Sequence, residues 1–455
     1  MITSSKPARF LAAATLAVTA GAGTAVTGGM PVHAETHAET SPTGITAVTA
    51  PELPDTPAGR QLGWVLRAVS RAPLPEPELR AHVAAGFLKD YPPALLNQAL
   101  AEYRGITFQR LTASQERRLV ARVLLGRIPI DLIISVDGAG LIDGLLFRAP
   151  DARSWSEVDR RLRAIAPGTG LLAAELTADG RCRPVHAIAA GKRRPLGSMI
   201  KLYVLGTVAQ QIKRGAYGWD TELTIKDELK SLPSGELQNR PDGSRVTVLE
   251  AAKLMISISD NTATDLLIHK AGREAIERTL RAWGVHDERN VPLLTTRELF
   301  VLKGVTYPRL AKKYLSLDDR AQRAYLSKVV AGQKLADVKI YTLPRELDTL
   351  EWFAAPRDIC RAYAELLKLD DGRIGQVMSI NDGAIGLDRT TWPAVWFKGG
   401  SEPGLSDVSY LARTAEGKAY VVTAMSVDRK TPIGNVATLE QIGLARSAFT
   451  LAHGS

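Results

Sequence analysis

The hydrophobic positions of the first third of the chain have the spacing of helices and then of strands. Leu62, Val65, Leu66 and Val69 recur at intervals of three and four, which predicts a helix with one buried face. Helical patterns followed by short β-like runs predict a compact α+β domain over residues 55–150, unless this stretch only extends the next domain. The predicted helices are 58–72, 76–87 and 93–104, and the predicted strands are 106–111, 117–124, 130–136 and 140–148.

Residues 151–455 begin and end with strand patterns and are mostly helical in between. Asp179-Gly180 is a typical hairpin turn between the first two strands, and a long helical stretch covers 198–369. This order predicts an α/β fold, in which one antiparallel sheet is flanked by helices and lies beside an all-helical lobe. We expect a site in the cleft between sheet and lobe. The predicted strands are 170–177, 184–190, 394–398, 407–413 and 419–427, and the predicted flanking helices are 155–165 and 439–452.

The composition is that of an ordinary soluble protein. Of 455 residues, 45% are hydrophobic and 23% are charged, which allows a large core but not a multi-span membrane protein. The net charge of +10 comes without a long basic run, so we expect no nucleic-acid partner. Cys182 and Cys360 are too few for a disulfide scaffold, and their pairing is left open. Because the histidines lack metal-ligand spacing and no nucleotide-binding loop occurs, we expect no cofactor.

The first residues have the pattern of a secretory signal peptide. Lys6 and Arg9 precede the short apolar run Phe10–Ala20, and small residues precede a cleavage site after Ala34. This predicts a signal peptide at 1–34, a secreted or extracytoplasmic protein and no stable membrane anchor, the alternative being an uncleaved anchor. Residues 35–54 are rich in Thr, Pro and Ala and predict a flexible linker.

The segment Ser198–Lys201 reads Ser-Met-Ile-Lys and is the first of three motifs that can carry chemistry. Gly197 breaks the chain before it, and the apolar run 199–212 predicts a buried helix with Ser198 at its N-terminus. Lys201 lies one turn further on the same face, where burial can remove its proton and let it activate the hydroxyl. Alone, this pattern arises by chance in most chains.

Ser259, Asp260 and Asn261 form the second motif. Thr247 and Glu250 have the spacing of a capping box, so a helix is predicted from 248, and the motif interrupts it before a second helix. Such a turn presents a hydroxyl and an amide to a cleft. An ordinary helix N-cap is the alternative.

Lys398, Gly399 and Gly400 form the third motif, at the end of a predicted strand. Lys398 offers a cation for a substrate carboxylate, and the glycines let a ligand approach the backbone closely. An ordinary strand end is the alternative. Each motif is weak alone, but all three occur in order with the expected flanking structure.

Together the motifs resemble the signature of the penicillin-recognising serine hydrolases, and most of all the class A β-lactamase superfamily. The resemblance covers about 155–452 and is strongest over 246–267 and at 356–358. The additional N-terminal domain is similar to that of two-domain proteins related to a clavulanic-acid biosynthesis accessory protein and to mycobacterial exported homologues. That resemblance implies an NTF2/ketosteroid-isomerase-like fold for residues 55–150.

The resemblance also implies a role for each motif residue. Ser198 would be the acylated nucleophile, Lys201 its proton acceptor and Ser259 the proton relay to the leaving group. The backbone N–H groups of Ser198 and Ser401 would form the oxyanion hole. The implied substrate-binding residues are Asn261, Lys398, Gly400 and Ser401.

Two positions depart from the family pattern. Gly399 stands where Thr or Ser is usual, which removes a hydroxyl that Ser401 could replace. The E-x-x-L-N motif that supplies the deacylating glutamate is missing before Pro356, and Glu346 and Glu351 are candidate substitutes.

We therefore expect a serine hydrolase that acts on a small molecule, a β-lactam or a related amide or ester. The alternatives are a D-Ala-D-Ala peptidase, an esterase, or a catalytically weak β-lactam-binding protein.

Overall fold

The computed structural model describes residues 53–454. The predicted signal peptide and all but the last two residues of the predicted linker lie outside this range. The described chain contains two modules with separate sheets and cores, an N-terminal module of residues 53–150 and a C-terminal module of residues 151–454. No helix between residues 53 and 454 is long and apolar enough to cross a membrane.

The N-terminal module is a four-stranded antiparallel sheet in the order β1-β2-β3-β4, covered by helices. Its helices and strands are α1 (Pro57–Arg71), α2 (Glu76–His82), α3 (Ala85–Asp90), α4 (Pro93–Ala101), β1 (Thr107–Ser114), β2 (Arg118–Leu125), β3 (Ile128–Val136) and β4 (Ile142–Arg148). The α+β order is confirmed. The single helix predicted over 76–87 is wrong, because Val83 forms a bridge with Ile142 and Ala84 N donates to Ile142 O, which divides the helix.

The C-terminal module is built on a five-stranded antiparallel sheet in the order β11-β12-β13-β5-β6. Its strands are β5 (Gly168–Leu176), β6 (Cys182–Ile188), β7 (Arg194–Pro195), β8 (Glu222–Thr224), β9 (Arg245–Thr247), β10 (Phe353–Ala354), β11 (Ala394–Glu402), β12 (Leu405–Arg413) and β13 (Ala419–Val427). Strands from both ends of the module thus share one sheet, which confirms the predicted fold class.

Helices cover both faces of this sheet. They are α5 (Trp155–Ile165), α6 (Lys201–Lys213), α7 (Val248–Ser257), α8 (Asn261–Ala271), α9 (Arg273–Ala282), α10 (Thr296–Gly304), α11 (Arg309–Leu315), α12 (Asp319–Tyr325), α13 (Pro356–Leu369), α14 (Arg373–Met378) and α15 (Asn435–His453). One core lies between the sheet and α5 and α15, and a larger core joins the other face to the helical lobe. The predicted helical stretch is not continuous, since 331–352 contains only the short 3₁₀ turn Leu335–Asp337.

Two contacts connect distant parts of the chain. Cys182 of β6 and Cys360 of α13 form a disulfide, which settles the pairing that the sequence left open. Val436 of α15 packs into the core of the N-terminal module. The NTF2-like assignment and the domain limits at 55–150 and 151–455 stay predictions.

Candidate active site

Ser198 lies just before α6, in a cavity between the sheet and the helical lobe. A 3₁₀ turn, Gly197–Ile200, carries it and leads directly into α6. The cavity has a volume of about 520 Å³ and is also lined by Ser259, Asn261 and Lys398. Because the N-terminus of a helix favours negative charge, an oxyanion formed at Ser198 is stabilised there.

Lys201 is fully buried behind these side chains. Its Nζ lies 3.0 Å from Ser259 Oγ, and it donates to Ser259 O and to Asn261 Oδ1, at 2.7 Å each. Burial, with a smaller contribution from the cation of Lys398, holds the pKa of Lys201 well below its usual value. Two N–H groups of a neutral amine satisfy the two carbonyl acceptors, and its lone pair is then available to a hydroxyl proton. The geometry is therefore that of a general base.

The second motif forms a strained turn that is fixed by Asp260. Ser259 has a φ of +57°, a left-handed conformation that is uncommon for a non-glycine residue and costs free energy. Asp260 caps α8 through Ala263 N at 2.8 Å, and its other oxygen accepts from Glu236 N at 2.8 Å. Asn261 Nδ2 donates to Leu232 O at 2.8 Å, so its carbonyl oxygen faces Lys201. These bonds hold the Ser259 hydroxyl beside both lysines.

Lys398 points from β11 toward the same hydroxyl. Its Nζ lies 3.2 Å from Ser259 Oγ and donates to Gly399 O at 2.7 Å. Burial lowers the pKa of Lys398 to about 7. Ser259 Oγ therefore lies between two lysines that are both easily deprotonated, which suits a proton relay.

Gly400 allows β11 to approach the 3₁₀ turn. A Cβ at Gly400 would overlap the carbonyl oxygen of Leu196 and lie 2.9 Å from Ser198 N. A Cβ at Gly197 would likewise lie 3.1 Å from Ser401 N. The backbone nitrogens of Ser198 and Ser401 thus both lie where β11 approaches the 3₁₀ turn. The predicted oxyanion hole requires these two nitrogens to be close together. The structure brings all seven predicted site residues together.

Comparison with known families agrees with this geometry. Residues 158–335 match the model of the Beta-lactamase enzyme family. This match lies within the C-terminal module, which we call the β-lactamase-like module. Residues 53–142 match a second model, described as the ORF 12 gene product N-terminal region. No curated protein matches the chain.

Solved structures similar to the β-lactamase-like module include two bacterial β-lactamases. The one from Sphaerobacter thermophilus DSM 20745 is 18% identical, with 66% of this chain and 98% of that chain covered and a TM-score of 0.45. The one from Chitinophaga pinensis DSM 2588 is 14% identical, with the same coverage of 66% and 98% and a TM-score of 0.45. PBP-A is 18% identical, with 67% and 99% covered and a TM-score of 0.43.

The two candidate deacylating residues have different surroundings in the β-lactamase-like module. Glu346 accepts hydrogen bonds from Tyr307 Oη at 3.3 Å and Thr349 Oγ1 at 2.7 Å, and it is not among the residues that line the cavity. Glu351 does line the cavity, and its Oε2 accepts from Gly197 N at 3.2 Å. Of these two carboxylates, only Glu351 is placed beside the nucleophile.

Glu351 belongs to a buried charge cluster that the sequence analysis missed. Lys303 Nζ of α10 lies 3.1 Å from Glu351 Oε1 and 2.6 Å from Glu402 Oε1. Burial alone would lower the pKa of Lys303, but Glu402 and Glu351 outweigh it and raise that pKa. Burial and the nearby Glu402 raise the pKa of Glu351. The available signal was a lysine inside the otherwise apolar run 299–305.

Proposed function

We propose that the chain is an exported active-site-serine hydrolase that forms an acyl-enzyme on Ser198 and acts on β-lactams or related amides and esters. The observation that carries the proposal is the position of Lys201, a fully buried amine one helical turn from Ser198 and 3.0 Å from Ser259 Oγ. Burial holds the pKa of this amine well below its usual value and so favours its unprotonated, basic form. Export rests on the predicted signal peptide at 1–34.

Acylation follows from the positions of these groups. Ser198 Oγ attacks the carbonyl carbon of the substrate while its proton passes to the Lys201 amine. The N–H groups of Ser198 and Ser401 stabilise the oxyanion. Ser259 Oγ delivers a proton to the leaving nitrogen or oxygen, and the bond between that atom and the carbonyl carbon breaks. Ser259 in turn takes the proton that Lys201 received, since Lys201 Nζ lies 3.0 Å from Ser259 Oγ. Water then hydrolyses the ester on Ser198 and restores the hydroxyl.

A chromogenic cephalosporin tests the proposal and separates it from the alternatives. Turnover that continues, with or without an initial burst, supports a β-lactamase-like hydrolase, and a burst equal to the enzyme concentration with no further reaction supports a β-lactam-binding protein. A D-Ala-D-Ala peptidase would instead cleave a peptide faster than the cephalosporin, and faster cleavage of a simple ester would make esters the preferred substrates of the proposed hydrolase. No reaction of Ser198 with any of these compounds would contradict the proposal.

We predict that deacylation limits the turnover of β-lactams. Glu351 is the carboxylate placed beside Ser198, but Lys303 and Gly197 N already occupy its oxygens and burial raises its pKa. Loss of a well-placed general base typically slows the step it serves by about 10²–10⁴-fold. Acyl-enzyme should therefore accumulate in quenched mixtures analysed by intact-protein mass spectrometry. Fast cephalosporin turnover without an adduct would refute this, and Glu351→Gln would then show whether Glu351 is the base.

The binding of carboxylate-bearing substrates should depend on pH through Lys398. Burial lowers the pKa of this lysine to about 7, so it is cationic below pH 7 and loses its charge as the pH rises above 7. We expect KM for an anionic β-lactam to increase about fivefold from pH 7 to pH 8 and about tenfold for each further pH unit, because only the cation attracts the carboxylate. A neutral ester serves as the control, and its KM should stay constant. Equal pH profiles for both substrates would contradict this role of Lys398.

A further inference from the structure

The cavity around Ser198 extends well beyond the motif residues and is lined mostly by apolar side chains. Leu299 and Phe300 of α10 form one part of its wall, and Val338 and Ile340 of the following segment form another. A volume of about 520 Å³ is that of a pocket for a drug-sized molecule. The apolar wall therefore has room for a substantial part of a substrate.

Apolar side chains also reach solvent at this cavity. Ile340 is 55% exposed and Ile258 is 38% exposed, and both line the cavity. Large apolar side chains grouped at the mouth of a cavity are typical of a surface that a ligand covers. An apolar part of a ligand would cover these two side chains.

The site offers weak recognition for a carboxylate. Gly399 has no side chain, and a Cβ there would lie 3.0 Å from Phe397 Cζ and 3.1 Å from Asp407 O. The ring of Phe397 thus crowds the place where a side-chain hydroxyl would stand. Lys398 already donates to Gly399 O, and burial lowers its pKa. A neutral substrate loses no binding energy at this position, because it has no carboxylate to be recognised.

The position of Ser259 constrains where the two parts of a substrate can lie. The leaving group must lie beside Ser259, because that hydroxyl supplies its proton. The segment 338–342 is held by other elements, since Lys339 N donates to Gly304 O at 3.2 Å and Tyr341 Oη donates to Glu402 Oε2 at 2.7 Å. An acyl group on the other side of the carbonyl carbon would contact the wall formed by α10 and residues 338–342.

We propose that the natural substrate is an uncharged ester with an apolar, medium-length acyl group that lies along α10 and residues 338–342. This inference rests on the proposed acylation of Ser198. Ser198 Oγ bonds to the acyl carbon, the C–O bond to the alcohol breaks and the alcohol leaves with a proton from Ser259. Water then releases the carboxylic acid and returns the proton to Ser198.

A series of p-nitrophenyl esters from acetate to decanoate, each below its critical micelle concentration, tests the inference. We expect kcat/KM to rise by up to about fourfold per methylene as far as octanoate, since each methylene is buried against the apolar wall. Ile340→Asp should lower the octanoate-to-acetate ratio of kcat/KM by about tenfold, because a carboxylate then faces the chain. Ile340 is exposed, so this change leaves the core intact.

Leu343→Asp is the matched control. Leu343 is 62% exposed, lies three positions after Ile340 and is not among the residues that line the cavity. Its variant should keep the wild-type ratio. A ratio that does not rise with chain length, while acetate still acylates Ser198, overturns the acyl-chain inference alone. If no ester and no β-lactam acylates Ser198, the proposed function fails, and this inference fails with it.

Discussion

Replacing Ser198 with alanine is expected to abolish covalent labelling by a fluorescent penicillin. The hydroxyl is the proposed acceptor of the acyl group, and alanine leaves no atom to form the bond. Ser257→Ala is a matched control, because Ser257 lines the same cavity but donates its hydroxyl to Lys253 O at 2.7 Å. The control should label as the wild type does. Equal labelling of Ser198→Ala would refute the assignment of the nucleophile.

Lys201→Ala should slow the same labelling without removing the acceptor. The lysine is the base that takes the Ser198 proton, and the loss of such a base costs about 10²–10⁴-fold in rate. The variant also leaves Asn261 Oδ1 and Ser259 O without their Lys201 donor, so folding is checked by circular dichroism. A folded Lys201→Ala protein that labels at the wild-type rate would contradict the role of the lysine.

Lys303→Met is expected to lower the free energy of unfolding by about 3–5 kcal/mol at neutral pH. The change removes the cation between Glu351 and Glu402 and leaves buried carboxylates unpaired. Burial and Glu402 already raise the pKa of Glu351, and loss of Lys303 raises it further. The folded variant then holds a proton that the unfolded chain releases above about pH 4.5, so its stability falls as the pH rises. The loss should be larger at pH 8 than at pH 5.5.

Urea unfolding of matched variants tests this prediction. Lys339→Met removes an exposed lysine near the cavity and should change stability by less than about 0.5 kcal/mol. Combining Lys303→Met with Glu351→Gln and Glu402→Gln should recover much of the loss, because no buried charge is then left unpaired. A loss below about 1 kcal/mol for Lys303→Met would show that the cluster is not a tightly coupled buried set.

The sequence predicted the parts of the site that depend on short spacing. The proximity of Ser198 and Lys201 was predictable because they are three positions apart at the start of one helix. The turn at Ser259 was predictable because one helix ends and the next begins close to it in the chain. The strands at 168–188 and 394–427 were also predictable, since alternating and apolar runs mark strands wherever they pair. Most of the helices and strands could therefore be predicted from local periodicity.

The features that the sequence did not predict depend on residues far apart in the chain. Lys303 lies on α10, Glu402 on β11 and Glu351 in the segment before β10, and no spacing rule connects them. The break at Val83 required knowledge of its bridge to Ile142. The ring of Phe397 over Gly399 depends on a side-chain orientation that periodicity does not encode. The first two of these features depend on contacts between residues that are distant in the chain, which local sequence patterns do not encode.

Peptide mapping of the acylated protein tests the central claim most directly. The wild-type chain is incubated with a penicillin and separately with p-nitrophenyl octanoate, quenched in acid, digested and analysed by mass spectrometry. We expect each compound to add the mass of its acyl group to the peptide that contains Ser198, and to no other peptide. An adduct on a different residue, or hydrolysis of either compound by the Ser198→Ala protein at the wild-type rate, would contradict it.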